Sequence, residues 1–310
     1  MHCLIIGYGS IGARHASILS KMDHKVHLVS KKNIKDFPRY KSIKEALKKK
    51  NFDYVIISNE TGNHYKSFME LCDFGYTGKI LIEKPIFSRI HPVTDIQMNS
   101  VFVAYNLRFH PVIQKLREVL QNKQLYSIYA YVGQYLPVWR PGTDYTKSYS
   151  ASKVRGGGVL SDLSHELDFI SWLCGGWKRV TAIGGKFSDL IIDSDDIFVL
   201  LLEMGNCPVV CVQMNYLDHK GRRELIINLK GHTIKADLIH STFEMDGKTE
   251  MFEMEENQTY TMQHTAILKG DYSTVCTLTQ GIDVLKLIQA AELASKKQEW
   301  INRSALELTS

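Results

Sequence analysis

Gly7-Tyr8-Gly9-Ser10-Ile11-Gly12 is the first stretch of this chain whose residue types and spacing suggest chemistry. The glycines follow the G-x-G-x-x-G pattern, directly after the apolar run Cys3–Ile6 and ahead of a helical pattern. There each glycine has a task. Gly7 permits a tight turn, Gly9 lets the backbone approach a pyrophosphate, and Gly12 lets the helix pack closely on the strand. The start of the helix then offers N–H groups and a positive dipole end to phosphate. Three fixed glycines alone arise by chance in about one chain in ten of this length. The strand before and the helix after make the signal specific; a merely tight strand-to-helix turn is the alternative.

A site that prefers NAD usually ends its second strand with Asp or Glu, which bonds the ribose 2′-hydroxyl. Here the second strand, Val26–Val29, runs into Ser30-Lys31-Lys32-Asn33 without an acid. One hydroxyl and two ammonium groups suit a 2′-phosphate, so the expected cofactor is NADP, with NAD as the alternative. An ordinary exposed basic loop would read the same way. Further on, Glu83-Lys84-Pro85 closes the strand Ile80–Ile82 at the carboxyl edge, where ligands of open parallel sheets collect. Proline cannot continue a central strand, and it biases Lys84 toward an extended backbone that projects the lysine over that edge. The third cluster is Gly156-Gly157-Gly158 followed by a helix expected over Asp162–Leu173. Asp162, His165 and Asp168, at i, i+3 and i+6, would share one broad side of it. A histidine with a carboxylate one turn away can be held in one tautomer and made more basic, which equips it as a general base. Asp162 as a plain N-cap and His165 as a satisfied polar residue is the bland alternative.

The elements that must position these groups follow two patterns. Up to about residue 121, short apolar strands alternate with helical stretches, which implies βαβ units and a parallel sheet buried on both faces. From residue 122 onward, long alternating or β-branched runs are punctuated by Gly205-Asn206, Lys220-Gly221, Lys230-Gly231 and Asp246-Gly247. The expected fold is α/β: a Rossmann dinucleotide-binding domain over 1–121, and an α+β domain with a large, mostly antiparallel open sheet over 122–310, with a cleft between them. At 310 residues, 44% apolar and 23% charged, the chain has ordinary globular composition. No run approaches the roughly 20 apolar residues of a membrane helix, and the start lacks a signal-peptide pattern. A cytoplasmic protein is expected. The net charge of +5 is mild, so neither nucleic acid nor a membrane is an expected partner. The six cysteines include no Cys-x-x-Cys pair, so they read as free thiols and no metal is expected. Cys207 and Cys211, four apart on one apparent strand, would point to one side.

Taken together, the glycine turn, Glu83-Lys84-Pro85, Asn106-x-Arg108-Phe109-x-Pro111 and the Gly-rich Asp/His helix resemble the Gfo/Idh/MocA oxidoreductase family. The likeness runs on to Ser295-Lys296 and covers nearly the whole chain. It implies transfer of hydride between NAD(P) and a hydroxyl or keto carbon of a sugar, amino sugar or sugar nucleotide. By this resemblance Lys84 and His165 are catalytic, with Asp162 beside them. His165 would take the hydroxyl proton while Lys84 steadies the developing alkoxide. Gly7, Gly9, Ser10, Ile11 and Gly12 would hold the pyrophosphate, and Ser30, Lys31 and Lys32 the ribose end. Asn59, Thr61, Asn63 and His64 lie on the loop that runs along the cofactor, where a helix N-cap is the alternative. Glu83, Lys84, Pro85 and Arg108 complete the cofactor site. Arg108, Trp139, Arg140 and Tyr145 are candidates for the substrate, Arg140 with a surface salt bridge as its alternative. In the commoner family pattern the aspartate stands four residues before the histidine, whereas Asp162 stands three before His165. That leaves open whether Asp162 or Asp168 orients the ring. A subgroup with this shorter spacing is also similar across Leu136–Pro141 and Asp144-Tyr145, and is associated with surface-sugar biosynthesis. The resemblance further implies a homodimer or homotetramer through the second sheet. Two other readings are a non-catalytic NAD(P)-binding regulator, which would need neither Lys84 nor His165, and transient redox at a ring carbon.

Overall fold

The computed structural model describes residues 1–32, 34–92 and 100–306; Asn33, the last residue of the basic loop, lies outside them. The chain divides into two compact units, Met1–Phe109 with Glu255–Ile282, and His110–Met254 with Asp283–Ser310. The first begins with β1 (His2–Ile6), α1 (Ser10–Lys21), β2 (Lys25–Val29), β3 (Arg39–Tyr40) and α2 (Ile43–Lys49). It continues with β4 (Tyr54–Ile57), α3 (His64–Asp73), β5 (Lys79–Ile82) and β6 (Val101–Val103). β1 pairs in parallel with β2 and β4, and the ladder runs on in parallel through β5 to β6 and, on the other side, to β3. A parallel sheet covered on both faces needs apolar residues without alternation, and Cys3–Ile6 and Tyr54–Ile57 are buried throughout. Full burial of each Leu or Ile there stabilises the fold by roughly 2 kcal/mol.

The second unit opens with α4 (Pro111–Leu120), β7 (Leu125–Gly133), α5 (Leu136–Trp139), α6 (Val159–Asp162) and α7 (His165–Cys174). A meander follows: β8 (Trp177–Gly185), β9 (Ile197–Met204), β10 (Val209–Asn215), β11 (Arg222–Leu229), β12 (His232–Asp237), β13 (Thr242–Met245) and β14 (Lys248–Met251). The chain ends with α8 (Gln258–Lys269), β15 (Cys276–Thr277), α9 (Leu278–Lys297) and β16 (Ile301–Asn302). The large sheet has the order β14-β13-β12-β11-β7-β10-β9-β8-β16 and is antiparallel except where β10 runs parallel to β7. Its alternation is clean: in β9, Phe198, Leu200, Leu202 and Met204 are buried, while Val199 and Leu201 stay partly in water. Among the described residues no helix is long and apolar enough to cross a membrane.

Three expectations change. The break between units falls at 109/110 rather than 121/122, and residues 255–282 return to the first unit. The returning segment is tied there by polar contacts that hydrophobic periodicity does not register. Lys79 Nζ donates to Ile267 O and Leu268 O at 2.7 and 2.9 Å, and Asn106 Nδ2 donates to Thr259 Oγ1 at 2.7 Å. β15 also adds antiparallel to β6. Second, the helix expected over Asp162–Leu173 is two helices. The Ser164 hydroxyl donates back to Ser161 O, and Leu163 leaves helical geometry, so Asp162 and His165 do not share one helix face. Third, Cys207 precedes β10 and is buried, while Cys211 within it is half-buried, so the two thiols do not share a side.

Candidate active site

At the turn between β1 and α1 the three glycines separate by cause. Gly7 has φ +97°, and a Cβ on it would stand 2.5 Å from Asn59 N. A Cβ on Gly12 would stand 2.1 Å from Gly7 O. Both glycines are demanded by the protein's own packing. On Gly9 a Cβ would meet nothing within 4 Å, so packing does not demand that glycine. Gly9 and Ser10 are exposed, Ile11 is half-buried, and α1 starts with neither a side-chain cap nor an acid in its first turn. Open N–H groups at a bare helix start fit the pyrophosphate of a dinucleotide.

The end of β2 is basic, as the residues suggest. Lys31 and Lys32 are exposed, and Ser30 Oγ accepts the Lys32 N–H at 3.1 Å. A third cation escaped the sequence reading: Arg39 on β3 donates from Nη1 to Lys32 O at 3.0 Å. Parallel pairing of β2 with β3 brings it there, and that register was not visible in the sequence.

At the end of β5, Glu83 N donates to Ile57 O, continuing the ladder, and Lys84 follows, half-buried. The Lys84–Pro85 peptide is cis. Glu83 takes His15 Nε2 at 2.8 Å on one oxygen and the Lys84 N–H at 3.1 Å on the other. Asn59 Nδ2 donates to Ser67 Oγ at 2.8 Å. Thr61 and Asn63 lie on a single 3₁₀ turn, and Asn63, at the cap position of α3, makes no side-chain capping bond. Two expected ligand residues are instead internal. His64 is 1% exposed, with Nδ1 at 3.1–3.2 Å from Ile86 O and Pro85 O and Nε2 at 3.0 Å from Asn59 O. Burial pulls its pKa below the usual histidine range. It clasps the turn that carries Lys84 and offers no surface to a ligand. Arg108 is 2% exposed and donates to Gln280 Oε1 at 2.8 Å, tying the returning segment to its own unit. Both side chains are buried among protein partners.

In the second unit, His165 opens α7, half-buried, with Nδ1 buried. Asp162, 3% exposed, accepts the Tyr216 hydroxyl on Oδ2 at 2.7 Å. Burial first, then the Asp162 carboxylate, pushes the phenols of Tyr216 and Tyr149 above the tyrosine range. The Arg140 guanidinium lies 5.1 Å from the Tyr149 ring centre and 5.8 Å from that of Trp139, and Trp139 packs on Tyr216 at 5.9 Å. Tyr145 is tied elsewhere, its hydroxyl accepting the Ile191 N–H at 3.3 Å. Trp139, Arg140 and Asp162 therefore meet around Tyr149 and Tyr216. Both tyrosines were missed, because nothing in their local sequence marks them.

The parallel sheet with its glycine turn is a dinucleotide-binding Rossmann domain. Residues 1–99 match the family described as an oxidoreductase family with an NAD-binding Rossmann fold, and residues 113–235 match the GFO/IDH/MocA C-terminal domain. The chain belongs to the Gfo/Idh/MocA oxidoreductase family. Among solved structures it is similar to a levoglucosan dehydrogenase in complex with NADH, with TM-score 0.84 and 16% identity over 97% of this chain and 98% of that one. It is also similar to the WlbA dehydrogenase from Bordetella pertussis with NADH and UDP-GlcNAcA, with TM-score 0.78 and 16% identity over 97% and 98%. A third is the UDP-N-acetylglucosamine 3-dehydrogenase GnnA from Acidithiobacillus ferrooxidans, with TM-score 0.73 and 17% identity over 95% and 97%. No curated protein matches the chain significantly by sequence.

Proposed function

We propose that this protein oxidises or reduces a hydroxyl or keto carbon of a sugar or sugar nucleotide, using NADP in preference to NAD. The observation that carries the dinucleotide reading is the contrast at the turn: Gly7 and Gly12 are required by packing, and Gly9 is not. The similar structures that act on levoglucosan or UDP-linked amino sugars support the substrate class. Lys31 and Lys32, joined by Arg39, support the preference for a 2′-phosphate.

In the oxidising direction, bound nicotinamide supplies the acceptor for the hydride. His165 takes the hydroxyl proton at Nε2, since Nδ1 is buried. The Lys84 ammonium stabilises the developing alkoxide. Asp162 is anchored by Tyr216 and supports the segment that leads to His165. Arg140, held against two aromatic rings and without an ion-pair partner among the described residues, takes an anionic group of the substrate, carboxylate or phosphate. Gly9, Ser10 and Ile11 receive the pyrophosphate, and Asn59, Thr61 and Asn63 border the cofactor.

Partners follow from the large sheet. Leu201, Cys211, Tyr129 and Ile226 line up across β9, β10, β7 and β11, and Leu201, Tyr129 and Ile226 are 40–43% exposed. A second copy of the chain covers this band in a homo-oligomer.

The test is a screen of levoglucosan, UDP-N-acetylglucosamine and its uronic acid with NADP and NAD, read by the absorbance of the reduced cofactor. Turnover is expected, and Lys84→Ala and His165→Ala should each lower it at least ~100-fold with cofactor binding retained. Near-normal turnover in either variant refutes the assignment of that residue. Cofactor binding without turnover across the panel favours a non-catalytic regulator.

A further inference from the structure

A buried hydrogen-bonded chain runs, wholly within the first unit, from the start of β4 to the residue before Lys84. The Tyr54 hydroxyl lies 3.1 Å from His264 Nδ1, His264 Nε2 lies 2.9 Å from His15 Nδ1, and His15 Nε2 lies 2.8 Å from Glu83 Oε1. Glu83 Oε2 accepts the Lys84 N–H at 3.1 Å. Tyr54, His264 and His15 are 0% exposed and Glu83 is 8% exposed. Four elements far apart in the sequence meet here: β4, α8, α1 and the end of β5.

The protons along this chain can be counted. Burial, then the nearby His15 and His24, hold His264 well below the histidine range, so it is neutral and carries one N–H. Burial, aided by Cys3, Tyr76 and Glu83, lifts the Tyr54 phenol well above its ordinary range, so the hydroxyl keeps its proton. Among the described residues that hydroxyl has only His264 as a partner. Tyr54 therefore donates to His264 Nδ1, which puts the ring proton of His264 on Nε2, where it donates to His15 Nδ1. His15 must then donate from Nε2 to an ionised Glu83. Reversing the direction strands the Tyr54 hydroxyl and, unless a proton is added, turns two bare acceptors toward each other at His15 and Glu83.

We propose that Tyr54, His264 and His15 are positioning residues for Lys84. They hold Glu83 as a carboxylate in one orientation, and its second oxygen fixes the Lys84 backbone at the edge of the sheet. The function of the chain rests on the assignment of Lys84 to the reaction. The tests below need no turnover, so failure of the substrate screen and failure of the positioning chain read separately. The chain also accounts for the polar buried side of α8, since His264 supplies the link that joins Tyr54 to His15.

The experiment is nuclear magnetic resonance of the full protein labelled with ¹⁵N, reading the ring tautomers of His15 and His264 and the exchange rate of the Lys84 amide. Both rings are expected as neutral Nε2–H tautomers. His15→Phe keeps an aromatic ring but no donor, and His15→Gln restores a donor near Nε2. In His15→Phe the Lys84 amide exchanges at least ~10-fold faster while the Ile5 amide of β1 is unchanged; His15→Gln returns it to within ~3-fold of wild type. An Nδ1–H tautomer in either ring overturns the proposal. So does Lys84 exchange at the wild-type rate in His15→Phe, or equal exchange in the Phe and Gln variants. Should His15→Phe fail to fold, Tyr54→Phe decides by the same measurements: a mixed His264 tautomer with faster Lys84 exchange supports the chain, and wild-type values of both overturn it.

Discussion

Replacing Gly9 and Gly12 by alanine, one at a time, separates a glycine kept for the protein from one kept for its ligand. At Gly12 the new Cβ would stand 2.1 Å from Gly7 O and 2.8 Å from Ser58 Oγ. The first neighbour is backbone, so α1 or the turn must move, and overpacking of this kind costs about 1–3 kcal/mol or more. At Gly9 the Cβ meets nothing within 4 Å, and φ −81°, ψ −166° is extended backbone that alanine adopts freely. The lost flexibility of the unfolded chain and the poorer cap roughly cancel, leaving stability within about 0.5 kcal/mol of wild type. Binding behaves oppositely. On the proposed function, a methyl on Gly9 stands where the pyrophosphate approaches the N–H groups of the turn. Loss of one hydrogen bond to a charged acceptor, about 1.5–3 kcal/mol, weakens NADPH about 10–100-fold. Urea unfolding and titration of NADPH fluorescence read the two quantities. Gly9→Ala should be stable and bind poorly, and Gly12→Ala should be unstable. Binding by Gly9→Ala within twofold of wild type would falsify the ligand role of the turn, whatever Gly12→Ala does.

Three further outcomes follow from other parts of the molecule. Reversal of charge in Lys31→Asp or Lys32→Asp should move the ratio of NADP to NAD affinity at least ~10-fold toward NAD, and an unchanged ratio in both variants rejects the 2′-phosphate assignment. Asp195, whose carboxylate accepts the Leu160 N–H at 3.1 Å ahead of His165, is pushed from 3.8 up to about 6, by burial first, with Glu292 raising and Lys153 lowering it. Its folded value lies above the unfolded one, so its contribution to stability is complete below pH 3.8 and is lost as pH rises through about 6. The loss is about 3 kcal/mol, and Asp195→Asn should remove that pH dependence from urea unfolding between roughly pH 4 and 7; parallel curves for variant and wild type contradict it. On the large sheet, Leu201→Glu puts a charge in the exposed apolar band and should yield monomer in sedimentation, whereas an unchanged oligomer moves the interface elsewhere.

What could be read from the residues in order depended on how local the cause was. The tight turn at Gly7, the close packing at Gly12 and the strands Cys3–Ile6 and Ile80–Ile82 each have causes within a few residues, and the structure has them as expected. The burial of His64 and Arg108 was hidden for a different reason. Their side chains suit a ligand, but the carbonyls of Pro85 and Ile86 that hold His64 Nδ1 and the amide of Gln280 that holds Arg108 stand 21, 22 and 172 residues away. The pairing of Asp162 with His165 differs: the i, i+3 spacing assumes an unbroken helix, and the backbone at Leu163, φ −100° and ψ 22°, interrupts it.

The returning helix α8 carries this lesson furthest. An amphipathic helix is recognised by its apolar stripe, but the buried positions of α8 include Thr259, Gln263 and His264. Burial of such groups is tolerable only where partners wait, and for two of them they do: Asn106 for Thr259, and Tyr54 with His15 for His264. The polarity that hides α8 from a hydrophobic pattern is therefore what binds it to the first unit. Removing one partner should cost more than its hydrogen bond, because the other is left buried and unsatisfied, about 1–3 kcal/mol. Asn106→Leu should accordingly destabilise the protein more than the double variant Asn106→Leu with Thr259→Val, in which both polar ends are gone. Equal unfolding free energies for the single and double variants would mean that Thr259 finds water in place of Asn106, and that polar pairing is not what holds α8.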